Sequence, residues 1–482
     1  MAQRADVPTD DAAPDAPAAT GRPLVVDLDT ALLRTGLGTE AFLHLLATRP
    51  LLAVRTAGAI GAGRAALAGR IADLVVLDAT SLPLDTGMLA ALREQAAQGR
   101  PIYLAASADA RHVAALAAML GFVSGSFGAE GGTRFAGVQR AQRLVAAFGP
   151  GGFDLVGTVP PQDPIRAAAA GILAPETLRA GDAAQDASAS ARPARWRAAL
   201  AAMRPHQWLK NVLIFIPVFA AHAFGWPLLA AMLAFVSFSL CASSVYILND
   251  LLDLAGDRTH PRKRHRPFAA GRIAPAWGAA MVPALLITAF VLALALPAAF
   301  AGVLGLYFLS TCAYSLVLKR RLLVDVVMLA CLYGTRMVAG AAATGIVISD
   351  WLIAFATFLF FSLALVKRSA ELTALKAAGS GDPVGRAYRI ADLPLLQTMA
   401  LASGYVAVLI LALYVTSADV RPLYGHPSTL WLLCVLLLYW VSRICLLTHR
   451  GAMHDDPVIF AVTDRVSQIV VLSGALVVAA SI

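Results

Sequence analysis

The sequence is poor in charge and in cysteine, and it does not begin with an apolar segment. Only 14% of the 482 residues are charged and 59% are apolar, whereas a soluble domain is nearer half apolar. Residues 1–22 are polar, with four Asp and three Pro. They lack the apolar core of a secretory signal, so we expect a disordered tail and an N-terminal domain that stays in the cytoplasm.

The cysteines argue against a metal or redox site. No two of them form a C-x-x-C pair, and all lie in apolar runs, which is typical of small packing residues. The five are Cys241, Cys312, Cys331, Cys434 and Cys445.

What the sequence does contain is a series of apolar runs after about residue 206. They are about 17 to 24 residues long, and about 20 residues are needed to cross a bilayer as a helix. We therefore predict a soluble domain at 23–178, a low-complexity linker at 179–200 and a membrane domain at 201–482. The nine expected spans lie near 207–224, 227–248, 276–297, 299–317, 323–344, 351–367, 394–415, 428–448 and 467–482.

The soluble part alternates short β-like runs with helical stretches. The predicted strands are 24–29, 74–78, 102–105 and 153–157. The predicted helices are 40–47, 88–98, 109–120 and 138–148. This alternation predicts a Rossmann-like α/β domain, with a parallel sheet covered by helices, ahead of an all-α polytopic bundle.

Basic residues predict the orientation of the bundle, because Lys and Arg gather in every second loop. Those loops contain Arg258, Arg262, Lys263, Arg264, Arg266 and Arg272; then Lys319, Arg320 and Arg321; then Arg368, Lys376, Arg386 and Arg389; then Arg450 and Arg465. The opposite loops have almost none apart from Arg421. We therefore expect a bacterial-type inner membrane protein with a cytoplasmic N-terminus and Ile482 on the outer side. We attribute the net charge of +9 to membrane topology rather than to nucleic-acid binding.

Three aspartates at the end of the second span form the densest chemical signal. Asp250, Asp253 and Asp257, preceded by Asn249, are spaced to share one helix face. Carboxylates crowded at a membrane helix end are costly without a cation, and Mg²⁺ takes oxygen ligands and bridges to substrate phosphates. Five cations follow, among them Lys263, Arg264 and Arg266. The pattern predicts a diphosphate site; the alternative is a solvated, charged helix end.

The stretch N-D-x-x-D-x-x-x-D at 249–257 resembles the first aspartate-rich motif of the UbiA superfamily of membrane prenyltransferases. The resemblance covers about residues 200–482. It implies a nine-span helical bundle with a polar cavity open to the cytoplasm, where Mg²⁺ on two aspartate-rich motifs binds a diphosphate.

Three further segments resemble the decaprenyl-phosphate phosphoribosyltransferase branch of that superfamily. In that branch the donor is phosphoribosyl pyrophosphate and the acceptor is a polyprenyl phosphate. The segments are 203–211 with Lys210, 260–267, and a stretch that contains Tyr314, Lys319, Asp325, Tyr333 and Arg336. The resemblance implies that these residues bind substrate.

The segment after the sixth span departs from the superfamily pattern. Aromatic prenyltransferases have a second aspartate-rich motif there, whereas this chain has Lys367, Arg368 and the single acid Glu371. Two cations suit an enzyme that binds a phosphosugar diphosphate and a lipid phosphate. The alternative for both is anchoring at the cytoplasmic membrane surface.

The implied reaction is a displacement at the anomeric carbon of ribose. Mg²⁺ on the aspartates would neutralise the leaving pyrophosphate. The lipid phosphate is already an anion, so it needs positioning more than a strong base, and Lys319, Lys367 and Arg368 are candidates for that task. Asp325 lies in an apolar stretch and needs a partner; we expect Arg336 to pair with it, either in the cavity or as a structural pair.

The opening of the soluble domain resembles the first motif of haloacid-dehalogenase-like phosphatases. Asp27 would be the nucleophile and Asp29 the general acid and base, with Ala31 where the family has another residue. The other catalytic residues of the family are incomplete in this sequence. Its Ser or Thr is Ser107 unless Ala106 takes that place, no Lys follows, and the remaining candidates are Arg134 or Arg140 and Asp163. A degenerate domain is therefore the expectation.

Three alternatives to phosphoribosyl transfer remain at this stage. The first is a prenyl-diphosphate:aromatic prenyltransferase, which the missing second acidic motif disfavours. The second is a transporter or lipid-binding protein, although the charges here gather at one face rather than at the midplane. The third is a bifunctional transferase and phosphatase that makes polyprenyl-phosphoryl ribose. The sequence leaves the oligomeric state open, a homo-oligomer included.

Overall fold

The computed structural model describes residues 21–481 except 34, 59–62, 78–81, 179–194, 261–262, 384–385, 418–423 and 454–455. Most of the predicted tail and linker, together with Arg262 and Arg421, lie outside the described residues. The chain forms two compact units. The first comprises 1–199 with 250–278, and the second comprises 200–249 with 279–482.

The first unit contains the predicted parallel sheet. Its strands are β1 Leu24–Asp27, β2 Ile102–Asp109, β3 Gly125–Ala129, β4 Asp154–Val156 and β5 Gly171–Leu173. Their spatial order is β3-β2-β1-β4-β5, and every pairing is parallel. Both faces are buried: Leu24 and Val26 pack into one core cluster, whereas Val25 packs into another. A parallel sheet covered on both faces explains why β1 is continuously apolar.

Eight α-helices among the described residues accompany this sheet, besides a π-helical turn at Leu28–Leu32. They are α1 Leu37–Thr48, α2 Pro50–Ala57, α3 Arg64–Leu74, α4 Thr86–Ala97, α5 Ala110–Leu120, α6 Gly137–Phe148, α7 Ile165–Ala168 and α8 Pro175–Leu178. The predicted strand at 74–78 is wrong where it is described, because Leu74 ends α3 and 75–77 form no regular element. Its apolar residues pack against helices instead, since Val75 belongs to a cluster with α1 and α3.

The rest of the chain is helical. After α9 Arg195–Met203 come a 3₁₀ segment Pro205–Phe215 and α10 Ile216–Ala220. The remaining helices are α11 Trp226–Leu252, α12 Leu254–Thr259, α13 Pro275–Ala293, α14 Ala298–Leu316, α15 Val324–Thr344, α16 Asp350–Ala377, α17 Leu393–Thr416, α18 Trp431–His449, α19 Pro457–Thr463 and α20 Arg465–Ser481.

Seven helices among the described residues are long and apolar enough to cross a membrane, and α19 with α20, bent by 80°, would make an eighth. Large apolar side chains such as Leu294 and Leu309 are mostly exposed (81% and 66%), as a lipid-facing surface requires. The first predicted span, 207–224, is not one long helix but the 3₁₀ segment followed by α10. A multi-pass helical membrane domain is therefore confirmed, and the count of nine stays a prediction.

A glycine sets how the 3₁₀ segment packs in the second unit. A Cβ on Gly340 of α15 would lie 1.9 Å from the carbonyl oxygen of Ile214, so only glycine allows this approach. The contact places the preceding residues, Lys210 and Asn211, in the buried interior of the unit (7% and 1% exposed).

Candidate active site

The aspartate motif lies where α11 gives way to α12. Asp253 interrupts the helix between them, so the prediction that one continuous face carries all three aspartates is wrong. Asp250 and Asp257 are nonetheless both buried (2% exposed), and both bind Arg266, whose Nη1 lies 3.2 Å from Asp250 Oδ1 and 2.6 Å from Asp257 Oδ2. Asp253 is exposed, and its carbonyl oxygen accepts the Asp257 backbone N–H at 2.8 Å.

The residues around this pair agree in part with the predicted phosphate-binding residues. Asn249 precedes Asp250 on α11 and is half-buried. Lys263 and Arg264 lie in a short 3₁₀ turn, Lys263–His265, and are exposed. Of the predicted phosphate ligands, Arg266 is therefore already engaged by carboxylates, while Lys263 and Arg264 face solvent.

The donor set fits a divalent cation with few protein ligands. Within the described part of the chain, no group of three or more Asp, Glu, His or Cys is close enough to hold a metal ion. Asp250 and Asp257 still converge on one point, where the guanidinium of Arg266 now supplies the positive charge. Mg²⁺ is commonly held by one or two carboxylates, waters and substrate phosphates, and two converging carboxylates meet that need.

A second buried cluster, in the second unit, is built around Asp456. Its Oδ2 lies 2.5 Å from Lys210 Nζ and 3.1 Å from Lys367 Nζ, and Tyr333 donates its hydroxyl at 3.2 Å. The Asp456 side chain also caps α19 by accepting the Val458 N–H at 3.1 Å. Burial alone would raise the pKa of Asp456, but the two ammonium groups outweigh it and hold the pKa below its usual range.

Sequence reasoning missed Asp456, although a signal was present. The dipeptide Asp456-Pro457 is a helix-start pattern, with the acid as the N-cap and proline at the first helical position. What the sequence could not indicate is that two lysines, 246 and 89 positions upstream, meet at this cap. The Asp456 cluster, comprising Lys210, Tyr333, Lys367 and Asp456, unites three predicted substrate-binding residues.

Arg336 has different partners from the one predicted. Its Nε donates to Asn211 Oδ1 at 2.9 Å, and its guanidinium also bonds the Leu332 carbonyl. The guanidinium carbon lies 5.3 Å from the ring centre of Tyr307 and 5.8 Å from that of Tyr333. The predicted Asp325–Arg336 pair is therefore wrong. Arg336 instead fastens the 3₁₀ segment, through Asn211, to α15.

Asp325 is the centre of a third cluster. It is fully buried, and its carboxylate lies 2.6 Å from Arg368 Nη2 and 3.3 Å from Arg386 Nη1, while Tyr314 donates its hydroxyl at 2.7 Å. Glu371 completes the set through a contact with Arg368. Two carboxylates thus face two guanidinium groups, so Arg368 is part of a neutral, buried network rather than an open phosphate ligand.

The predicted residue Lys319 and two further polar residues, Tyr388 and Asp464, are more peripheral. Lys319 lies half-buried in the 3₁₀ turn Leu318–Arg320. Tyr388 packs 5.6 Å below the Arg368 guanidinium and accepts the Leu323 N–H at 3.2 Å. Asp464 pairs with Arg443 at 2.7 Å before α20, which is a structural contact between neighbouring helices.

The soluble domain brings its phosphatase-like residues together at the carboxyl end of β1. Arg140 donates to Asp27 Oδ2 at 3.0 Å and to Asp163 Oδ2 at 2.9 Å, while Ser107 donates its hydroxyl to Asp29 Oδ2 at 3.0 Å. Of the positions left open by the sequence, Ser107 and Arg140 contact the two aspartates, whereas Ala106 is buried and Arg134 is exposed. Burial raises the pKa of Asp27 above its ordinary value despite the opposing charge of Arg140.

The apolar helices and the buried carboxylate–cation clusters define a class: a multi-pass membrane protein with polar sites inside a helical bundle. Comparison with known proteins gives the family. The sequence model of the UbiA prenyltransferase family matches residues 211–443.

Three relatives extend this match. The uncharacterised protein y4nM of Sinorhizobium fredii is 34% identical over 95% of this chain and 90% of its own length. The nodulation protein NoeC of Azorhizobium caulinodans is 37% identical over 57% of this chain and 90% of its own. The decaprenyl-phosphate phosphoribosyltransferase of Mycobacterium tuberculosis is 30% identical over 58% of this chain and 93% of its own. The chain belongs to the UbiA prenyltransferase family and is a membrane transferase, as its aspartate motif predicted.

The coverage of these matches separates the two parts of the chain. NoeC and the phosphoribosyltransferase are matched almost completely by just over half of this chain, whereas y4nM is matched along nearly all of it. The soluble α/β domain is therefore shared with y4nM and is an addition relative to the other two.

Proposed function

We propose that the protein transfers 5-phosphoribose from phosphoribosyl pyrophosphate to a polyprenyl phosphate, such as decaprenyl phosphate, at the cytoplasmic face of the membrane, with release of pyrophosphate. The observation that carries the proposal is the Asp456 cluster, where two lysines converge on a single acid. Two lysine amines that share one carboxylate in a buried position suit a phosphate oxygen. Similarity to the mycobacterial phosphoribosyltransferase supports the same substrates.

The chain's own residues have separate tasks in this reaction. Lys210 and Lys367 bind phosphate oxygens, with Tyr333 as a hydroxyl donor. Arg336 keeps Lys210 in place through Asn211. A phosphate nucleophile is already charged, so these residues contribute by orientation and by charge neutralisation rather than by removing a proton.

Asp250 and Asp257 would hold Mg²⁺, with the exposed Asp253 as a further carboxylate beside them. When bound, the ion supplies neutralisation of the pyrophosphate leaving group. Lys263 and Arg264, exposed in the turn after α12, are placed to bind the outer phosphate oxygens as anions arrive from solvent.

The test is direct transfer of label. The purified full-length protein in detergent is incubated with Mg²⁺, ribose-labelled phosphoribosyl pyrophosphate and decaprenyl phosphate, and label is counted in the organic phase. We expect label to move with the wild type and to stop moving with Asp250→Asn. If no label moved while a prenyl diphosphate was consumed with an aromatic acceptor, the protein would be an aromatic prenyltransferase instead.

A second activity is favoured by the geometry at β1. Asp27 and its neighbour Asp29 lie together with Arg140 and Ser107, and this supports a phosphate-ester hydrolase in which Asp27 is the nucleophile. The Asp27 oxygen would attack phosphorus, the leaving alkoxide would take a proton from Asp29, and water would release the phosphate. The transfer product is such an ester, so the domain would convert it to polyprenyl-phosphoryl ribose. With 5-³²P-labelled donor, wild type should release inorganic phosphate from the lipid and Asp27→Asn should not; release that persists in the variant would exclude this assignment.

A further inference from the structure

A buried ion pair joins the soluble domain to the helix that carries Asp257, inside the first compact unit. Arg258 donates to Glu40 through both ends of its guanidinium, at 3.0 Å and 2.8 Å. The two side chains are only 9% and 7% exposed, although 218 positions separate them. Such two-point pairs fix direction as well as distance.

Both ends of this pair are attached to candidate catalytic groups. Glu40 lies in the first turn of α1, where it also accepts the Thr35 hydroxyl at 2.5 Å. The first amide of α1, from Leu37, donates to Asp29 Oδ1 at 3.0 Å. At the other end, Arg258 directly follows Asp257 on α12.

We propose that the soluble domain positions the aspartate-bearing helix α12 for phosphoribosyl transfer, with Glu40 as the positioning residue; this rests on the proposed function. Helix α12 has only six residues. A short helix gains little stability from its own hydrogen bonds. The pair with Glu40 therefore supplies an anchor that α12 cannot provide by itself, and it sets where the Asp257 carboxylate points.

This positioning role gives the soluble domain a task in the transfer reaction that does not depend on any phosphatase activity of its own. NoeC is matched over 90% of its own length by only 57% of this chain, so the soluble domain is not needed to explain that similarity. In this chain, loss of the Glu40 contact should change α12 while leaving the sheet of the soluble domain unchanged.

The experiment uses the full-length protein in detergent and two measurements. Hydrogen–deuterium exchange of the 254–259 amides reports the order of α12, and steady-state kinetics report KM for phosphoribosyl pyrophosphate separately from kcat. The variants are Glu40→Gln, Arg258→Gln, Arg258→Lys and the double variant Glu40→Gln with Arg258→Gln. The control is Glu94→Gln, at an exposed position of α4.

For Glu40→Gln we expect α12 exchange and KM to rise about tenfold, within the usual range of a coupling between sites, with kcat changed less than twofold. Arg258→Lys keeps the positive charge but loses the two-point contact of the guanidinium group, so both α12 exchange and KM should rise by less. The double variant should be no worse than the poorer single variant, because the partners act as one unit. The control should match wild type.

Unchanged α12 exchange in Glu40→Gln, with the protected β1 and β2 amides intact, would overturn the proposal; so would additive effects in the double variant. Should Glu40→Gln fail to fold, Arg258→Lys still decides the matter, since unchanged exchange there is equally contradictory. If the wild type transfers no label, the proposed function fails, but the exchange measurement still tests the anchor by itself.

Discussion

Replacing Asp456 by Asn tests whether the Asp456 cluster is an anion-binding element. The substitution keeps the shape of the side chain and its ability to cap α19, but it removes the carboxylate that binds both Lys210 and Lys367. Two ammonium groups then remain close together. Lys210 bears most of the cost, because its side chain is 9% exposed, whereas that of Lys367 is 31% exposed and retains some water.

The size of the effect follows from burial. Breaking a buried ion pair by removing one partner costs about 3–5 kcal/mol, and the partial hydration of Lys367 favours the lower value. For a domain of this size, 1 kcal/mol shifts Tm by about 2–4 °C, so about 3 kcal/mol predicts a loss of about 6–12 °C. An added phosphate or phosphoribosyl pyrophosphate can replace the missing carboxylate. At a hundredfold excess over Kd it would restore about 2.7 kcal/mol.

The assay is thermal unfolding of the purified protein in detergent, with and without phosphate. We expect the variant to gain more stability from phosphate than the wild type does. Asp464→Asn is the matched control, since Asp464 also pairs with a cation but with one only, Arg443. A loss below about 1 kcal/mol, or equal stabilisation of variant and control by phosphate, would refute the reasoning.

The same variant has a defined pH dependence. Because the folded pKa of Asp456 is lowered, its stabilising contribution is fully present above the ordinary Asp value of about 3.9 and is lost only as pH falls through the folded pKa. Asp456 itself should therefore add no pH dependence to stability from about pH 5 to pH 8. Burial, with the charge of Lys367 beside it, lowers the pKa of Lys210, and loss of the Asp456 carboxylate should lower it further. We expect the difference in stability between wild type and variant to shrink as pH rises through that window, because Lys210 then loses its proton first in the variant; a difference that grew with pH would contradict this.

Three further predictions concern other sites. Asp325→Asn should lower the free energy of unfolding by about 3–5 kcal/mol, because it removes a carboxylate from the Arg368 guanidinium, which is 1% exposed. Thermal unfolding measures this loss, and a loss under about 1 kcal/mol would show that water reaches the network. Asp27→Asn should stabilise the soluble domain at pH 7 but not below pH 4, because the raised pKa of Asp27 makes its ionised form costly as pH rises. Denaturation followed by hydrogen–deuterium exchange of the β1 amides measures this stability. A variant less stable than wild type at pH 7 would contradict the prediction. Gly340→Ala should destabilise by at least about 1–3 kcal/mol through overpacking, whereas Gly334→Ala, which meets nothing within 4 Å among the described residues, should be close to neutral.

Local patterns predicted much of the architecture. Continuous apolar runs indicated seven helices that the structure contains, and alternating elements indicated the parallel sheet around β1. The aspartate spacing indicated the family. These features depend on neighbours in sequence, which is where hydropathy and helical periodicity carry information.

Partners across the bundle could not be predicted in the same way. The sequence favoured Arg336 for Asp325, eleven residues away, but eleven residues rise about 16 Å along an α-helix, too far for contact. Packing brings Arg368 instead, 43 positions away on the next helix. Asp456 lies in a loop, where no periodicity marks a buried position. The first predicted span failed for a related reason: hydropathy reports that 207–224 is apolar, but not that it is a 3₁₀ segment packed on Gly340.

The balance of charge distinguishes the two buried clusters of the membrane part. Around Asp325 two acids face two guanidinium groups, so the charges of the network balance. Around Asp456 one acid faces two ammonium groups. Burying an uncompensated cation is costly unless an anion completes its coordination. The first cluster is therefore suited to hold helices together. The second has two basic groups for one acid among the described residues, and a phosphate oxygen is the anion that a transferase of phosphorylated substrates would bring to it.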